Sequence, residues 1–263
     1  LDRYAPRGNV QDVVVKWSGD WPHPAQYSVK GSFTNLGLNA AGRIPGFAGV
    51  SGNIDGTERG GTLSLNNQKA AVDLPRVFRD KLAFDTLSAQ VGWQRNGEQF
   101  DLKLNTISFS NPDFTGSVSG TYHTTPDGPG VIDLTGNMTR AEARSVGRYI
   151  PLQVGERARQ WLANSLLAGM SNDVKLRLKG NLADFPFADG RNGVFQVTAQ
   201  VTGGMLDYAA GWPIIENIEG GLTFRGKSMD LAVRDASILG AKLARVRAEL
   251  PDLATPNRVL TVS

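Results

Sequence analysis

The chain has 263 residues and a mass of 28.2 kDa, a length that fits one large β domain or two medium ones. Its 28 Lys and Arg nearly balance 25 Asp and Glu, with no long run of like charge, so a nucleic-acid partner is not expected. Cysteine is absent, which excludes disulfides, cysteine-based zinc sites and thiol nucleophiles. No apolar run approaches the roughly 18 residues that a membrane-spanning helix needs.

Along most of the chain, apolar and polar residues alternate with a period of two. Val174, Leu176 and Leu178, for example, alternate with basic residues, and turn signals such as Asn96-Gly97 separate the alternating stretches. This pattern is typical of antiparallel strands with one dry and one wet face. The sequence therefore predicts a mostly β fold, in which antiparallel strands follow one another as a meander of hairpins.

A segment near 140–168 changes to helical periodicity. Thr139 and Glu142 fit a capping box that starts a first helix, and a second amphipathic helix is predicted to end at Gly169 as its C-cap. The sequence thus predicts three parts: an N-terminal β segment (1–137), a helical pair (138–170) and a C-terminal β segment (171–263).

A weak internal repeat relates three hairpin-like stretches. Residues 87–102 resemble residues 218–231, and residues 49–65 form a more diverged third copy. Repetition of one hairpin unit favours a sheet that extends strand by strand. Residues 258–263 have the alternation of a strand that stops midway, and because natural chains cover strand edges, an excerpt of a longer protein is expected.

Few residues suggest catalysis. Gly221 to Ser228 spell a phosphate-loop pattern, but the alternation on both sides predicts a hairpin instead of the loop and helix that hold a phosphate. His23 and His123 lie far apart and without carboxylates at ligand spacing, so no metal site is predicted. No nucleophile elbow or zinc-protease pattern occurs. Neither an enzyme activity nor a cofactor is therefore expected.

Two features of the sequence allow a functional interpretation. The first is a set of three regularly spaced arginines. Arg140, Arg144 and Arg148 follow one another at i, i+4 and i+8, which predicts a basic stripe along the first helix. Such a stripe is either a solvated helix face or a contact surface for anionic lipid headgroups.

The second feature is the apolar face that the alternating strands share. This face is either the core of a sandwich or a groove left open for an apolar ligand, and alternation alone does not separate these two possibilities. The candidate groove-lining residues are Leu102, Leu104, Val174, Leu176, Leu178, Phe195, Val197, Val201, Leu222 and Phe224.

Two stretches carry a resemblance to a known family. One is Arg148–Phe187, with the sequence RYIPLQVGERARQWLANSLLAGMSNDVKLRLKGNLADFPF, and the other is Trp212–Leu253, which contains Trp212-Pro213 and Ile238-Leu239-Gly240. Ordered matches extend over most of the chain from about Ile44 onward. The chain resembles the YhdP branch of the AsmA-like proteins of the Gram-negative envelope.

The resemblance implies an elongated, curled antiparallel sheet of repeated hairpins whose apolar side forms a groove, and with it a conduit for phospholipids. Members of this family are similar to bridge-like lipid transporters, with a periplasmic β-rich body held to the inner membrane by an N-terminal helix that this chain does not contain. The implied partners are phospholipid and, through that anchor, the membrane. The alternative is an envelope scaffold or assembly factor that binds other, unidentified proteins through its sheet edges, and a hydrolase acting on envelope glycans is a third hypothesis.

Overall fold

A computed structural model describes residues 4–20, 22, 24–42 and 44–253, together with the backbone of residues 261 and 262. The strands form one antiparallel sheet in which each strand is hydrogen-bonded to the next along the chain, from β1 to β14. The predicted fold class is confirmed: the chain is mostly β, built of consecutive antiparallel hairpins, with a short helical segment. By its internal contacts the chain divides into two compact units.

The first unit comprises residues 1–75, 80–112 and 117–133. Its strands are β1 (Arg7–Ser18), β2 (Gln26–Leu38), β3 (Gly46–Thr57), β4 (Gly60–Asp73), β5 (Leu82–Asn96), β6 (Gln99–Ser110) and most of β7 (Phe114–His123). The Asn96-Gly97 turn is confirmed, since Asn96 pairs with Gln99 across it.

The second unit comprises residues 76–79, 113–116 and 134–263. Its strands are most of β8 (Val131–Glu142), then β9 (Leu166–Asn181), β10 (Gly193–Leu206), β11 (Ile215–Arg225), β12 (Ser228–Ile238), β13 (Ala241–Leu250) and β14 (Thr261–Val262). Its helices are a 3-10 helix (Ala143–Tyr149), α1 (Glu156–Ser165) and a second, one-turn 3-10 helix (Leu182–Asp184). Of the strand predicted over 258–263, only the backbone of Thr261–Val262 is described, and it pairs with β13.

Cross-strand register gives each sheet segment one apolar and one polar face. Residues that pair directly across antiparallel strands point to the same face. In the first unit, one row across the sheet is polar and mostly exposed: Ser32, Asn53, Ser64, Gln90 and Thr106. The neighbouring rows on the opposite face are apolar and contain Ile54, Leu63, Val91 and Leu104 in one line.

The weak sequence repeat corresponds to three hairpins: β3–β4, β5–β6 and β11–β12. The first strand of each hairpin carries a buried apolar residue, a small residue two positions later, and a half-buried aliphatic residue two positions after that. These triplets are Val50, Gly52 and Ile54; Leu87, Ala89 and Val91; and Ile218, Gly220 and Leu222. A Cβ on Gly52 or Gly220 would overlap the carbonyl oxygen of Ser64 or Ala232 on the next strand. In two of the three hairpins, the small residue of the repeat therefore lies where the backbone of the next strand leaves no room for a Cβ.

The helical segment starts later than its sequence pattern indicates. Thr139 lies inside β8, so the capping box with Glu142 is wrong, and Glu142 forms no side-chain cap. Strand pairing takes precedence here, because the backbone N–H of Glu142 donates to the carbonyl oxygen of Asp113 at 2.9 Å. Gly169 is not a C-cap either: it lies within β9, which begins directly after α1.

The phosphate-loop pattern of Gly221–Ser228 is a hairpin, as predicted from its alternation. Phe224 pairs with Met229 and Arg225 with Ser228, so Gly226 and Lys227 form the turn between β11 and β12. No helix follows the pattern, because β12 continues to Ile238. The backbone arrangement that a phosphate-loop needs is thus replaced by a strand ladder.

Candidate functional site

The apolar face of the first unit is accessible along several strands. Ile54, Leu63, Val91 and Leu104 form one cross-strand row, and each of these side chains is only half-buried. Leu102 lies in the adjacent row on the same face. Within the described residues of this unit there is no helix. The described part of the unit therefore supplies no helical layer to cover these side chains, and the two candidate residues of β6 lie on this half-buried face.

Trp93 broadens this face over two glycines. It pairs with Gly61, which in turn pairs with Gly56. A Cβ on Gly56 or Gly61 would lie 2.6 or 2.5 Å from the Cζ2 atom of the indole. The ring consequently packs on the backbone of the two glycines and contributes the apolar surface that their missing side chains do not provide.

The candidate residues of the second unit share one face. Leu178 pairs with Phe195. One row across the sheet contains Leu176, Val197, Phe224, Met229 and Leu250, and the next contains Val174, Ala199, Leu222, Leu231 and Ala248. Val201 pairs with Gly220, two residues before Leu222, and so belongs to the same face. The structure therefore brings all the candidates of β9, β10 and β11 together, while their role as groove-lining residues stays a prediction.

Two covers lie on this second face. At one end, the ring of Phe185 is 5.1 Å from that of Phe195, and buried Phe187 packs where a Cβ on Gly193 would be. At the other end, α1 joins the hydrophobic core of the unit through Ala158, Trp161 and Leu162. The other core members are Leu206, Ile218, Met229, Leu231, Val233, Ala236, Ala248, Leu250 and Leu253.

Between these covers, the apolar surface is neither buried nor fully exposed. Leu176, Val197 and Phe224 are half-buried, whereas Val174 is buried. Leu222 and Phe224 also pack against the core that α1 completes. This unit therefore contains a closed core beneath α1 and, beside it, apolar side chains that are only half-buried.

The three arginines predicted to line one helix do not do so. Arg140 lies in β8, and only Arg144 and Arg148 lie in the 3-10 helix, so the stripe at i, i+4 and i+8 is wrong. Each has a polar partner: Arg140 donates to Thr115 Oγ1 at 3.5 Å, Arg144 pairs with a Glu142 carboxylate oxygen at 3.2 Å, and Arg148 pairs with Asp113. Their contact with lipid headgroups stays a prediction.

The comparison with known families concerns the entire chain. The family model described as the YhdP protein matches residues 1–263. The chain belongs to the YhdP family. This confirms the resemblance carried by residues 148–187 and 212–253. No curated protein and no solved structure matches the chain.

In the part of this YhdP-family chain that the structure describes, no helix has the length and apolar character needed to cross a bilayer. No group of three or more His, Asp or Glu residues in the described part is placed to hold a metal ion. His123 lies at the end of β7, and His23 lies outside the described residues.

An anchored carboxylate is the site that sequence reasoning missed in this YhdP-family chain. The Asp113 side chain is 14% exposed and accepts hydrogen bonds from Ser145 Oγ at 2.9 Å, Tyr149 OH at 2.6 Å and Arg148 Nη1 at 3.0 Å. Burial raises the pKa of Asp113, but the hydrogen bonds from Tyr149 and Ser145 and the charge of Arg148 outweigh it and hold this pKa below its usual value. No local pattern reveals the cluster, because its partners lie more than thirty residues away in sequence.

Asp113→Asn is expected to destabilise the chain by about 1–3 kcal/mol at pH 7, because the charge-assisted bonds to the 3-10 helix weaken. Since the folded pKa of Asp113 is lowered, its contribution is complete above the unfolded pKa and is lost as the pH falls through the folded pKa. Denaturant unfolding at pH 7 and about pH 2.5 should therefore show the variant and the parent converging in acid. Exposed Asp127 provides a control, Asp127→Asn, that should match the parent at both pH values. A stability gap for Asp113→Asn that is the same at both pH values would contradict the assignment.

Proposed function

We propose that this chain is a segment of a periplasmic lipid conduit, whose apolar sheet faces hold phospholipid tails in transit between the inner and outer membranes. The main support is the row of half-buried aliphatic side chains in the first unit, which no helix in the described part of that unit covers. Membership in the YhdP family agrees with an envelope function of this kind. In the proposal, an inner-membrane anchor is supplied elsewhere in the full-length protein.

The free energy of lipid desorption explains what such a face contributes. Moving an acyl chain into water costs about 0.8 kcal/mol per CH₂ group, so a phospholipid with two long tails pays on the order of 20 kcal/mol. A barrier of that size allows only about 10⁻² to 10⁻³ events per second for each lipid. An apolar surface that receives the tails directly removes most of this barrier. No catalytic group is required for that effect.

The two-faced strands suit this task. Along β6, Leu102 and Leu104 lie on the apolar face, and exposed Lys103 between them points to the opposite face. In β9, Leu176 and Leu178 lie on either side of Arg177 in the sequence and point to the opposite face. The Nη1 atom of Arg177 donates to the carbonyl oxygen of Leu134 at 3.0 Å. Each strand therefore offers an apolar surface for tails and a polar surface for water.

Site-specific photocrosslinking in the full-length protein tests the proposal. A photoreactive amino acid at Val197, on the apolar face of β10, is expected to form adducts with phospholipid in cells. The same residue at Thr198, which pairs with Thr223 on the opposite face, is the matched control and should form few such adducts. Equal labelling at both positions, or a lack of phospholipid adducts at Val197, would refute the conduit.

Native mass spectrometry separates the conduit from a scaffold function. Co-purified phospholipid at a fixed stoichiometry is expected for the conduit. A stoichiometric protein partner without lipid would instead favour a scaffold that binds other proteins through a sheet edge. The two results are read from one purified sample of the intact protein.

A further inference from the structure

Helix α1 occupies part of the apolar face that the proposal assigns to lipid tails. Its buried residues Ala158, Trp161 and Leu162 belong to the same core as Leu231 of β12. Leu231 pairs with Leu222, one of the candidate groove-lining residues, and Leu222 packs against this core. An acyl tail that reached this end of the face would therefore need the surface that α1 covers.

The attachment of α1 depends mainly on apolar packing. The helix has only ten residues, and no side chain caps its N-terminus at Gly155. Isolated helices of this length are marginal in water, so its stability comes from docking. Its polar contacts include the indole N–H of Trp161, which donates to the carbonyl oxygen of Tyr208 at 2.9 Å, and the backbone N–H of Asp207, which donates to the carbonyl oxygen of Ser165 at 2.9 Å. Apolar packing is the kind of contact that a lipid tail is able to replace.

Docking also carries a cost at Arg159. The Nε atom of this side chain is buried without a hydrogen-bond partner, although the residue as a whole is half-buried. A buried donor without a partner costs about 1–3 kcal/mol. When α1 undocks, water can bind this donor and the cost is recovered. The free-energy difference between the docked and the undocked helix is therefore smaller than its apolar contacts alone would give.

We infer that α1 is a displaceable cover, which closes one end of the apolar face of the second unit and is displaced when acyl tails occupy that end. This inference rests on the proposed conduit function. The tails and the stripe of Ala158, Trp161 and Leu162 compete for one surface, so lipid occupancy and helix docking oppose each other. The 3-10 helix next to α1 provides a fixed base, because Ser145 and Tyr149 hold it to Asp113.

A reversible lock on α1 tests the cover. A Cβ on Gly147 would lie 2.8 Å from the Cβ of Ala163. Gly147→Cys with Ala163→Cys therefore joins α1 to the anchored 3-10 helix once the two elements move apart by about 0.7 Å or more, to the usual Cβ–Cβ distance of a disulfide. Because the chain contains no other cysteine, the bond is the only disulfide that forms within it. Photocrosslinking probes are placed at Leu222, beside the core that α1 completes, and at Leu104 in the first unit.

The two probes distinguish failure of the cover from failure of the conduit. Oxidation of the double-cysteine variant in the full-length protein should lower phospholipid adducts at Leu222 at least fivefold, and reduction should restore them, while adducts at Leu104 stay constant. The single variants Gly147→Cys and Ala163→Cys should not respond. Adducts at Leu104 with an unchanged yield at Leu222 in the locked protein would overturn the cover alone. An absence of adducts at Leu104 would overturn the conduit, and the cover with it.

Hydrogen exchange provides a measurement that does not depend on the disulfide. Addition of a soluble short-chain phosphatidylcholine should accelerate amide exchange in Glu156–Ser165 several-fold, because the displaced helix loses its docking contacts. Trp161→Phe keeps an aromatic ring but removes the N–H that donates to Tyr208, and it should reach the same exchange at lower lipid concentration. Exchange in α1 that does not change with lipid would overturn the inference.

Discussion

Replacing Leu104 with glutamate is expected to lower phospholipid crosslinking at the apolar face of the first unit by roughly 30- to 150-fold. Leu104 is half-buried and lies in one row with Leu63 and Val91. A carboxylate there must lose water when a tail covers it, and a penalty of about 2–3 kcal/mol corresponds to this reduction in occupancy. The effect is measured as the adduct yield of a photoreactive residue at Val91, which pairs with Leu104.

Lys103→Glu is the matched control for this experiment. Lys103 is exposed and pairs with Gly92 on the opposite face, so a negative charge at this position stays in water. Circular dichroism should show the same β content in both variants. If Leu104→Glu folds and its adduct yield equals that of Lys103→Glu, the first unit does not carry acyl tails on this face.

Gly220→Ala is expected to destabilise the second unit strongly, by about 3 kcal/mol or more. A Cβ at this position would overlap the carbonyl oxygen of Ala232 and lie 2.9 Å from the Cα of Val233. These are backbone atoms of the paired strand, which cannot rotate away, so β11 and β12 must separate where the core is closely packed. Denaturant unfolding and thermal melting measure the loss.

The adjacent glycine supplies the control. A Cβ on Gly221 would have its nearest neighbour at 3.5 Å, in the flexible Gln200 side chain, which is an ordinary contact. Gly221→Ala should therefore be neutral, or stabilising by about 0.4–1 kcal/mol because alanine restricts the unfolded chain. Equal stabilities of the two variants would show that β11 and β12 accommodate a Cβ at Gly220, contrary to this prediction.

Local pattern was sufficient to predict the strands and their faces. Side chains alternate across a strand with a period of two whatever the neighbouring strands are, so Leu176, Val197 and Phe224 could be placed on one dry face before their pairing was known. The turn at Gly226-Lys227 was predictable for the same reason, since alternation on both sides outweighed the phosphate-loop pattern. Family membership was also predictable, because ordered matches extend over most of the chain.

The helical segment shows where local pattern fails. Thr139 and Glu142 have the spacing of a capping box, yet both belong to β8. A capping box contributes only about 1 kcal/mol, whereas continued strand pairing satisfies several backbone groups together. The arginine stripe fails for the same reason, since it assumed that Arg140 lies in a helix.

Outside the helical segment, the sequence by itself determined which stretches are strands and which side of each strand is apolar, because both follow from the alternation of neighbouring residues. Only the tertiary structure decided what covers that apolar side. The described part of the first unit has no helix over its apolar side, whereas α1 docks on that of the second unit. The docking of α1 and the hydrogen bonds from Ser145 and Tyr149 to Asp113 join segments that are distant in sequence. Such contacts depend on strand register and on the packing of whole elements, which no short stretch of residues specifies.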